Sequence, residues 1–268
     1  MDKAVILARG LGTRMKRADQ ASVLSDAERA AAESGVKAMI PIDRPFLDYV
    51  LSALADAGYR HVCLIVAPDH AAIREYYRQV GLSRVTLDFS VQPEPKGTAD
   101  AVAAAERFSN GDPFLVVNSD NYYPIEALRG LREQAGFAAA LFERDSMLAG
   151  SNIAPERVKS FAIAQISAEG KFERIIEKPD AATLAAVAPP HWLSMNCWRF
   201  TPAIFEACRK IAPSPRNEFE VTDAVQYVID VLRQDFHAVK IRAPVLDLTS
   251  RQDIATIKPF LAQVKVSL

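Results

Sequence analysis

A pair of glycines near the amino terminus is followed at once by residues that can bind an anion. The chain reads LARGLGTRMKR over residues 7–17, directly after the apolar run KAVI. Without side chains, Gly10 and Gly12 let backbone N–H groups approach a phosphate, and the guanidinium of Arg14 can pair with two of its oxygens. A glycine pair at a strand end is also a common tight turn. On these residues alone, a phosphate loop and a turn with solvated arginines both stay open.

The spacing of the glycines excludes the two most familiar nucleotide-binding motifs. A dinucleotide fingerprint, Gly-x-Gly-x-x-Gly, needs a third glycine where Met15 stands. A P-loop needs a Gly-Lys-Ser or Gly-Lys-Thr step, which the chain lacks. Any phosphate site at this loop therefore belongs to another class.

Other polar side chains stand where apolar runs end. Gln92 directly follows one such run, and Asp120 comes shortly after another. In open, mostly parallel sheets, ligands bind beyond the carboxyl ends of the strands. We therefore expect the glycine loop, residues 92–97 and residues 118–121 to share one edge of a sheet. This position favours Asp120 as a metal ligand, although a strand-end aspartate can also cap the following turn.

The sheet that positions these residues is predicted from hydrophobic periodicity. Apolar, β-rich runs predict strands at 3–8, 61–67, 84–91, 113–118 and 137–143. Apolar residues three or four positions apart predict helices near 46–58, 69–79, 97–108 and 124–134. Continuous apolar strands that alternate with amphipathic helices predict a mostly parallel sheet covered on both faces.

The pattern changes after about residue 150. Further apolar runs occur at 158–166, 171–179 and 192–200, and helices are expected near 202–211 and 218–233. No low-complexity linker precedes this mixed region, so we expect one domain over 1–268, with a core at about 1–145 and a smaller region at about 146–268. Residues 18–35 predict an excursion with one short helix that ends at Gly35.

Composition limits the partners that the chain can bind. Half of its 268 residues are apolar, and its formal charge is -1 without a block of like charges. This argues against nucleic acid or a membrane surface held by bulk electrostatics. No apolar stretch is long enough for a bilayer, and residues 1–8 are too short for a secretory signal, so we expect a cytoplasmic protein. The three cysteines are far apart and are expected to pack as small apolar groups.

The motifs, taken in chain order, resemble those of the sugar-phosphate nucleotidyltransferases, also called nucleotide-sugar pyrophosphorylases. The resemblance runs through nearly the whole chain. The matching stretches are LARGLGTR at 7–14, KAMIPI at 37–42, QPEPKGTADA at 92–101, VVNSDN at 116–121, EKP at 177–179, MNCWRF at 195–200, EVTD at 220–223 and LDLTS at 246–250. Each stretch is a weak signal alone, whereas the ordered set is specific.

The resemblance implies both a fold and a reaction. The fold would be α/β, with a Rossmann-like, mostly parallel mixed sheet between helices and a smaller sugar-binding α+β region, the GT-A-like nucleotidyltransferase fold. The reaction would join a nucleoside triphosphate and a sugar 1-phosphate into a nucleotide-sugar, with release of pyrophosphate and with Mg²⁺ as cofactor. Nucleic acid and membrane are not expected as partners, and a homo-oligomer is compatible with the family.

Matching positions also imply individual roles. The catalytic cations would be Arg14, Lys37 and Lys178. The Mg²⁺ ligands would be Asp120 and Asp247. Triphosphate, base or sugar would be bound by Ala8, Gly10, Leu11, Gly12, Thr13, Gln92, Gly97, Thr98, Asn121, Glu177 and Asn196. Within this last set, the loop residues would hold the triphosphate, Gln92 and Gly97 the base, and the last three residues the sugar hydroxyls.

Several of these residues have a structural role open to them as well. A lysine is most often a solvent-facing cation. Asp247 also suits a helix start, and Asn196 could satisfy backbone groups. Glu218, Glu220 and Asp223 begin a helical pattern and are expected to be helix-start carboxylates rather than site residues.

The chain departs from the family pattern at the glycine loop, which keeps two other functions open. Arg9 stands where the family has alanine or glycine, and the interval between Arg14 and Lys37 is longer than usual. One alternative is a metal-dependent glycosyltransferase, although its Asp-x-Asp signature is absent because Asn118 and Ser119 precede Asp120. The other is a catalytically silent nucleotide- or sugar-binding regulatory module.

Overall fold

The parallel strands of the main sheet end at one edge, and a cleft opens at that edge. A computed structural model describes residues 1–17, 24–159, 161–177 and 179–268. The strands in these ranges are β1 Lys3–Leu7, β2 His61–Val66, β3 Thr86–Val91, β4 Phe114–Asn118, β5 Asn121–Tyr122, β6 Phe137–Glu143, β7 Ile163–Ile166, β8 Phe172–Ile176, β9 Trp192–Phe200, β10 Phe236–Ile241 and β11 Leu246–Asp247.

Helices separate most of these strands. The α-helices of the described ranges are α1 Thr13–Lys16, α2 Asp26–Ser34, α3 Phe46–Asp56, α4 Ala71–Val80, α5 Thr98–Ala103, α6 Glu106–Ser109, α7 Ile125–Glu133, α8 Arg144–Gly150, α9 Pro155–Val158, α10 Ala181–Ala186, α11 Ile204–Lys210, α12 Val221–Asp230 and α13 Arg251–Leu261. A short 3-10 helix, Lys37–Met39, precedes α3.

The main sheet is mixed but mostly parallel. Its strand order is β10-β6-β9-β4-β1-β2-β3, and β7 joins β9 and pairs with β8. The pairs β1 with β2, β1 with β4, β2 with β3 and β10 with β6 are parallel, whereas β9 runs antiparallel to β4 and β6. A separate two-stranded antiparallel ribbon joins β5 to β11. The α/β fold predicted from the sequence is confirmed.

Both faces of the sheet are buried, as continuous apolar strands require. On one face, Ala4 and Ile6 of β1 pack with the apolar side of α3. On the other face, Val5 and Leu7 pack with α5, α11 and α12. Because side chains alternate along a strand, the odd-numbered positions of β1 point to the α5 face.

The predicted excursion contains the predicted helix. Helix α2 begins with a capping box, in which Glu28 N donates to Ser25 Oγ (3.3 Å) and Ser25 N donates to Glu28 Oε2 (2.7 Å). It ends at Gly35, whose φ of 75° is left-handed. Residues 18–23 of the excursion lie outside the described residues.

Where the structure describes the chain, no helix is both long and apolar enough to cross a bilayer.

Candidate active site

A cleft of about 440 Å³ opens at the carboxyl ends of β1, β3 and β4. It is lined by Leu7, Ala8, Arg9, Gly10, Leu11, Gly12, Thr13, Arg14, Lys37, Gln92, Pro95, Gly97, Thr98, Ala101, Asn118, Ser119, Asp120 and Glu218. The three segments that were expected to share one edge of the sheet, namely the glycine loop, residues 92–97 and residues 118–121, therefore all contribute to one cleft.

The structure explains why position 12 of the loop is a glycine, but it places no such requirement on position 10. Gly12 has a left-handed φ of 60°, and a Cβ there would lie 2.2 Å from the carbonyl oxygen of Gly35. A Cβ at Gly10 would meet nothing within 4 Å. Gly12 is therefore required by its backbone conformation and by the close approach of the α2 terminus, whereas the space beside Gly10 lies open.

Lys37 and Asp120 form an ion pair in the wall of the cleft. Lys37 lies on the short 3-10 helix and Asp120 follows β4, and Lys37 Nζ lies 2.7 Å from Asp120 Oδ2. Their side chains are 16% and 24% exposed, and both line the cleft. Arg14 lines the same cleft and adds a second positive charge.

Asp247 lies beside Asp120 but is buried and does not line the cleft. The β5–β11 ribbon pairs Asp247 with Asn121, and Leu248 N donates to the carbonyl oxygen of Asp120 (2.8 Å). Burial, followed by the negative charge of Asp120, raises the pKa of the Asp247 carboxyl to about 6. The shift reflects a low-dielectric site in which two carboxylates repel each other.

Asp247 is held by two further side chains. Thr249 Oγ1 donates to Asp247 Oδ1 (2.6 Å), and Arg157 Nη2 donates to Asp247 Oδ2 (2.6 Å). The helix start considered as an alternative role for Asp247 is instead provided by Ser250, which forms a capping box with Asp253. Arg157 also pairs with Asp253 (3.2 Å), so one guanidinium connects the strand end to α13.

The two carboxylates fit a Mg²⁺ ion that is shared with phosphate groups. Mg²⁺ prefers hard oxygen ligands and is usually held by one or two carboxylates together with substrate phosphates and water. Asp120 directly precedes β5 and Asp247 ends β11, the strand that pairs with β5, and a cation would relieve the mutual repulsion of the two carboxylates. In the described part of the chain, no group of three His, Cys, Asp or Glu side chains could hold an ion.

Gln92 and Gly97 form the opposite wall of the cleft. Gln92 is buried, and its Nε2 donates to the carbonyl oxygen of Gly97 (3.0 Å) and to Asp100 Oδ2 (2.7 Å). Gly97 has a φ of 116°, and a Cβ there would lie 2.4 Å from the carbonyl oxygen of Phe219. This close approach to the chain before α12 is sufficient reason for a glycine. Thr98 Oγ1 accepts a hydrogen bond from Val221 N (2.8 Å), which joins the starts of α5 and α12.

The predicted sugar-binding residues do not line this cleft. Asn121 is buried, and its Oδ1 accepts hydrogen bonds from Asn118 Nδ2 (3.1 Å) and from Tyr123 OH (3.3 Å). Asn196 has a left-handed φ of 53° and its Oδ1 accepts from Trp198 Nε1 (3.3 Å).

Two further residues that are predicted to bind the sugar 1-phosphate follow β8 in the sequence. Glu177 is exposed just beyond this strand, and Lys178 lies outside the described residues. The roles of Asn121, Asn196, Glu177 and Lys178 stay predictions.

Three residues were not assigned to the site from the sequence. Glu218 lines the cleft because the segment before α12 packs against Gly97; the only sequence signal was its place beside the EVTD motif. Arg157 holds Asp247 from a position distant in sequence, and no spacing rule indicated it. Arg9 lines the cleft and was noted only as a departure from the family pattern.

The chain belongs to the nucleotidyl transferase family, whose sequence model matches residues 31–263. This confirms the family that the ordered motifs resemble.

Three relatives match most of this chain. A low-salt glycan biosynthesis nucleotidyltransferase of Haloferax volcanii is 29% identical over 89% of this chain and 60% of its own length. A glucose-1-phosphate thymidylyltransferase of Streptomyces griseus is 30% identical over 86% of this chain and 58% of its own. A UTP–glucose-1-phosphate uridylyltransferase of Haloferax volcanii is 27% identical, with 85% and 83% covered. The chain thus spans about 60% of the length of the first two relatives.

Solved structures share the fold. A UDP-glucose pyrophosphorylase complexed with UDP-glucose superposes with a TM-score of 0.74 over 98% of this chain and 99% of that one, at 18% identity. A UTP-bound UGPase from Acinetobacter baumannii gives a TM-score of 0.75 over 99% and 95%, also at 18% identity.

Proposed function

We propose that the protein transfers a nucleotidyl group from a nucleoside triphosphate to a sugar 1-phosphate, giving a nucleotide-sugar and pyrophosphate. The observation that carries this proposal is the meeting of the glycine loop, Arg14 and the Lys37–Asp120 pair in one cleft. Relatives named as thymidylyl- and uridylyltransferases of glucose 1-phosphate support it.

The main obstacle to this reaction is electrostatic. A phosphate monoester is largely ionised near neutral pH, so the attacking oxygen needs no general base. Two polyanions must approach each other, however, and each pair of unit charges at about 5 Å costs roughly 3 kcal/mol at an effective dielectric constant of about 20. Cations placed around the phosphates offset this repulsion.

The cleft residues divide this task by position. The backbone N–H groups of residues 10–13 would hold the triphosphate, and Arg14 would stabilise the negative charge on the departing pyrophosphate. Lys37 would contact the α-phosphate, where it orients the centre that is attacked. Asp120 keeps the Lys37 ammonium in place through their 2.7 Å contact.

Asp120 and Asp247 would hold Mg²⁺ against the phosphates. The ion, when bound, would neutralise phosphate charge as a Lewis acid. Thr249 and Arg157 fix the orientation of the Asp247 carboxylate through their 2.6 Å hydrogen bonds, so this ligand is positioned before the nucleotide arrives.

The sugar 1-phosphate would be bound mainly from the region at about 146–268, with Asn121 contributed by the core. Lys178 would contact its phosphate, and Glu177, Asn196 and Asn121 would bind its hydroxyl groups. This assignment is supported by the matching family motifs at these positions.

A substrate panel tests the proposed reaction. Pyrophosphate release is measured for each pairing of a nucleoside triphosphate with a sugar 1-phosphate, with Mg²⁺ and with EDTA. We expect release only when both substrates and Mg²⁺ are present. Consumption of a nucleotide-sugar without pyrophosphate would instead indicate a glycosyltransferase, and binding without turnover would indicate a regulatory module.

A further inference from the structure

Arg9 is a cation in the cleft wall without a described role. Its side chain is partly buried, and its Nε lies in the interior without a hydrogen-bond partner. Within the described ranges, no hydrogen bond or ion pair engages the guanidinium. A buried N–H without a partner is unfavourable unless a ligand supplies the acceptor.

Strand register places Arg9 level with Gln92. Leu7 pairs with Ile65 across β1 and β2, and Ile65 pairs with Ser90 across β2 and β3. The ladder continues beyond these pairs, since Ala8 N donates to the carbonyl oxygen of Ile65 and Gln92 N to that of Val66. Two residues farther along, Arg9 and Gln92 are therefore at the same level, with one strand between them.

Arg9 and Gln92 each follow the carboxyl end of a strand. β1 ends at Leu7 and β3 at Val91, and Gln92 donates to Asp100 of α5. Both residues line the cleft, together with Ala101 of α5. Two strand spacings separate their backbones by about 10 Å, which leaves room for a planar ring between the two side chains.

The two side chains offer complementary hydrogen-bonding groups. Both N–H groups of the Gln92 amide are used by Gly97 and Asp100, so its free group is the acceptor Oε1. Arg9 has donors only. A guanidinium binds carbonyl oxygens strongly and presents two parallel donors. Uracil, thymine, cytosine and guanine carry a ring carbonyl, whereas adenine has none.

We propose that Arg9 binds a carbonyl oxygen of the nucleobase and so selects carbonyl-bearing nucleotides over ATP. This inference rests on the proposed function, because it takes the wall formed by Gln92 and Gly97 as the base site. Alanine or glycine at this position has no side-chain donor, so neither would give this base specificity.

Calorimetric titration of the full chain with Mg²⁺ tests this role directly. The probes are UTP, dTTP, CTP, GTP, ATP and inorganic tripolyphosphate, and the variants are Arg9→Ala and Arg9→Lys. Arg78→Ala is the matched control, because Arg78 is exposed on α4 and pairs with Glu75. We expect Arg9→Ala to lower the affinity for the preferred carbonyl-bearing nucleotide by about tenfold or more. One charge-assisted hydrogen bond contributes about that much to binding. ATP and tripolyphosphate should bind as they do to the unmodified protein.

Arg9→Lys separates hydrogen-bond geometry from charge. It keeps the positive charge, so tripolyphosphate should bind normally while the preference over ATP falls. If Arg9→Ala lowered the affinity for ATP, tripolyphosphate and the preferred nucleotide by equal factors, Arg9 would be a phosphate contact and the inference would be overturned. Unchanged binding of every probe would overturn it too. Failure of the unmodified protein to bind any triphosphate would instead remove the proposed function and, with it, this inference.

Discussion

The Lys37–Asp120 contact places two opposite charges side by side in the wall of the cleft. Each side chain is partly buried, and pairing at 2.7 Å limits the cost of that burial. Phosphate groups and a divalent cation would bring charges of both signs, so Lys37 can turn to phosphate while Asp120 turns to the metal. In the proposed reaction, each of the two side chains would thus face an opposite charge in the empty cleft and in the loaded one.

Replacing the Asp120 carboxylate tests its place in the metal site. Asp120→Asn keeps the shape of the side chain and removes its charge. We expect pyrophosphate release to fall by about 100-fold or more, with a melting temperature close to that of the unmodified protein. Asp112→Asn is the control, because Asp112 pairs with Lys3 and its side chain is 62% exposed. Full activity of Asp120→Asn would remove this residue from the metal site.

The glycine loop offers a matched pair of substitutions. Gly12→Ala combines a left-handed φ with a collision against the Gly35 backbone, so the free energy of unfolding should fall by about 1–3 kcal/mol. Gly10→Ala enters open space and should leave the free energy of unfolding nearly unchanged. Guanidinium denaturation followed by circular dichroism measures both. Equal stability of the two variants would contradict the packing described for Gly12.

Much of the cleft could be predicted at the level of single residues. Gly10, Gln92 and Asp120 line it, because strand-end motifs in a parallel sheet must meet at one edge. Arg14 and Lys37 also line it, and their roles were implied by the family resemblance. The support of Asp247 by Arg157 could not be predicted, because that contact depends on how α9 packs against the start of α13.

Helices α13 and α2 position the short helix α1, which directly follows the glycine loop. Arg251 at the start of α13 is buried, and its Nε donates to the carbonyl oxygen of Met15 (3.0 Å) while its Nη2 donates to that of Lys16 (3.3 Å). Lys258 of the same helix lies 2.5 Å from Glu28 of α2. The loop is therefore positioned by elements distant from it in sequence.

Removing the buried guanidinium of Arg251 should destabilise the contact between α13 and the segment that follows the glycine loop. We expect Arg251→Ala to lower the free energy of unfolding by about 2–3 kcal/mol, since two carbonyl groups lose a charged donor, and to weaken triphosphate binding. Lys171→Ala is the control and should cost about 0–1 kcal/mol, because Lys171 pairs with Asp235 at the surface, where both side chains are more than half exposed. Denaturant titration and calorimetry with a triphosphate measure the two effects. Normal triphosphate affinity in Arg251→Ala would show that α13 does not position the loop.

Long elements of the fold follow from the sequence, and short ones do not. Strands β1, β2, β4 and β6 lie within a residue or so of their predicted bounds, because their apolar runs are continuous. The two-residue strands β5 and β11 carry no readable periodicity. The single helix predicted at 97–108 is divided into α5 and α6 by a turn at Ala104 and Ala105, which an alanine-rich run does not signal.

At the scale of the whole molecule, the buried faces of the sheet also enclose all three cysteines. Cys63, Cys197 and Cys208 are buried free thiols. Burial raises the pKa of Cys63 to about 11 and that of Cys208 to about 12, and it raises the pKa of Cys197 as well. Since the thiolate is the reactive form, these thiols should be inert while the core is intact.

Thiol labelling therefore reports on the integrity of both faces. We expect no thiol to react with Ellman's reagent at pH 8 in buffer, and all three to react once guanidinium unfolds the chain. The denatured sample provides the full-reaction control. Rapid labelling of any thiol in buffer would contradict the burial described for that cysteine.

In the proposed reaction, one cleft brings a triphosphate and a sugar 1-phosphate together around the cations of the glycine loop, Lys37 and the Asp120–Asp247 pair. The most direct measurement follows the label of an α-³²P nucleoside triphosphate in the presence of a sugar 1-phosphate and Mg²⁺. We predict that the label enters a nucleotide-sugar in equal amount to the pyrophosphate released, and that Asp120→Asn lowers both products by about 100-fold or more. Label that remains in the triphosphate, or that appears only as free nucleoside monophosphate, would contradict this account.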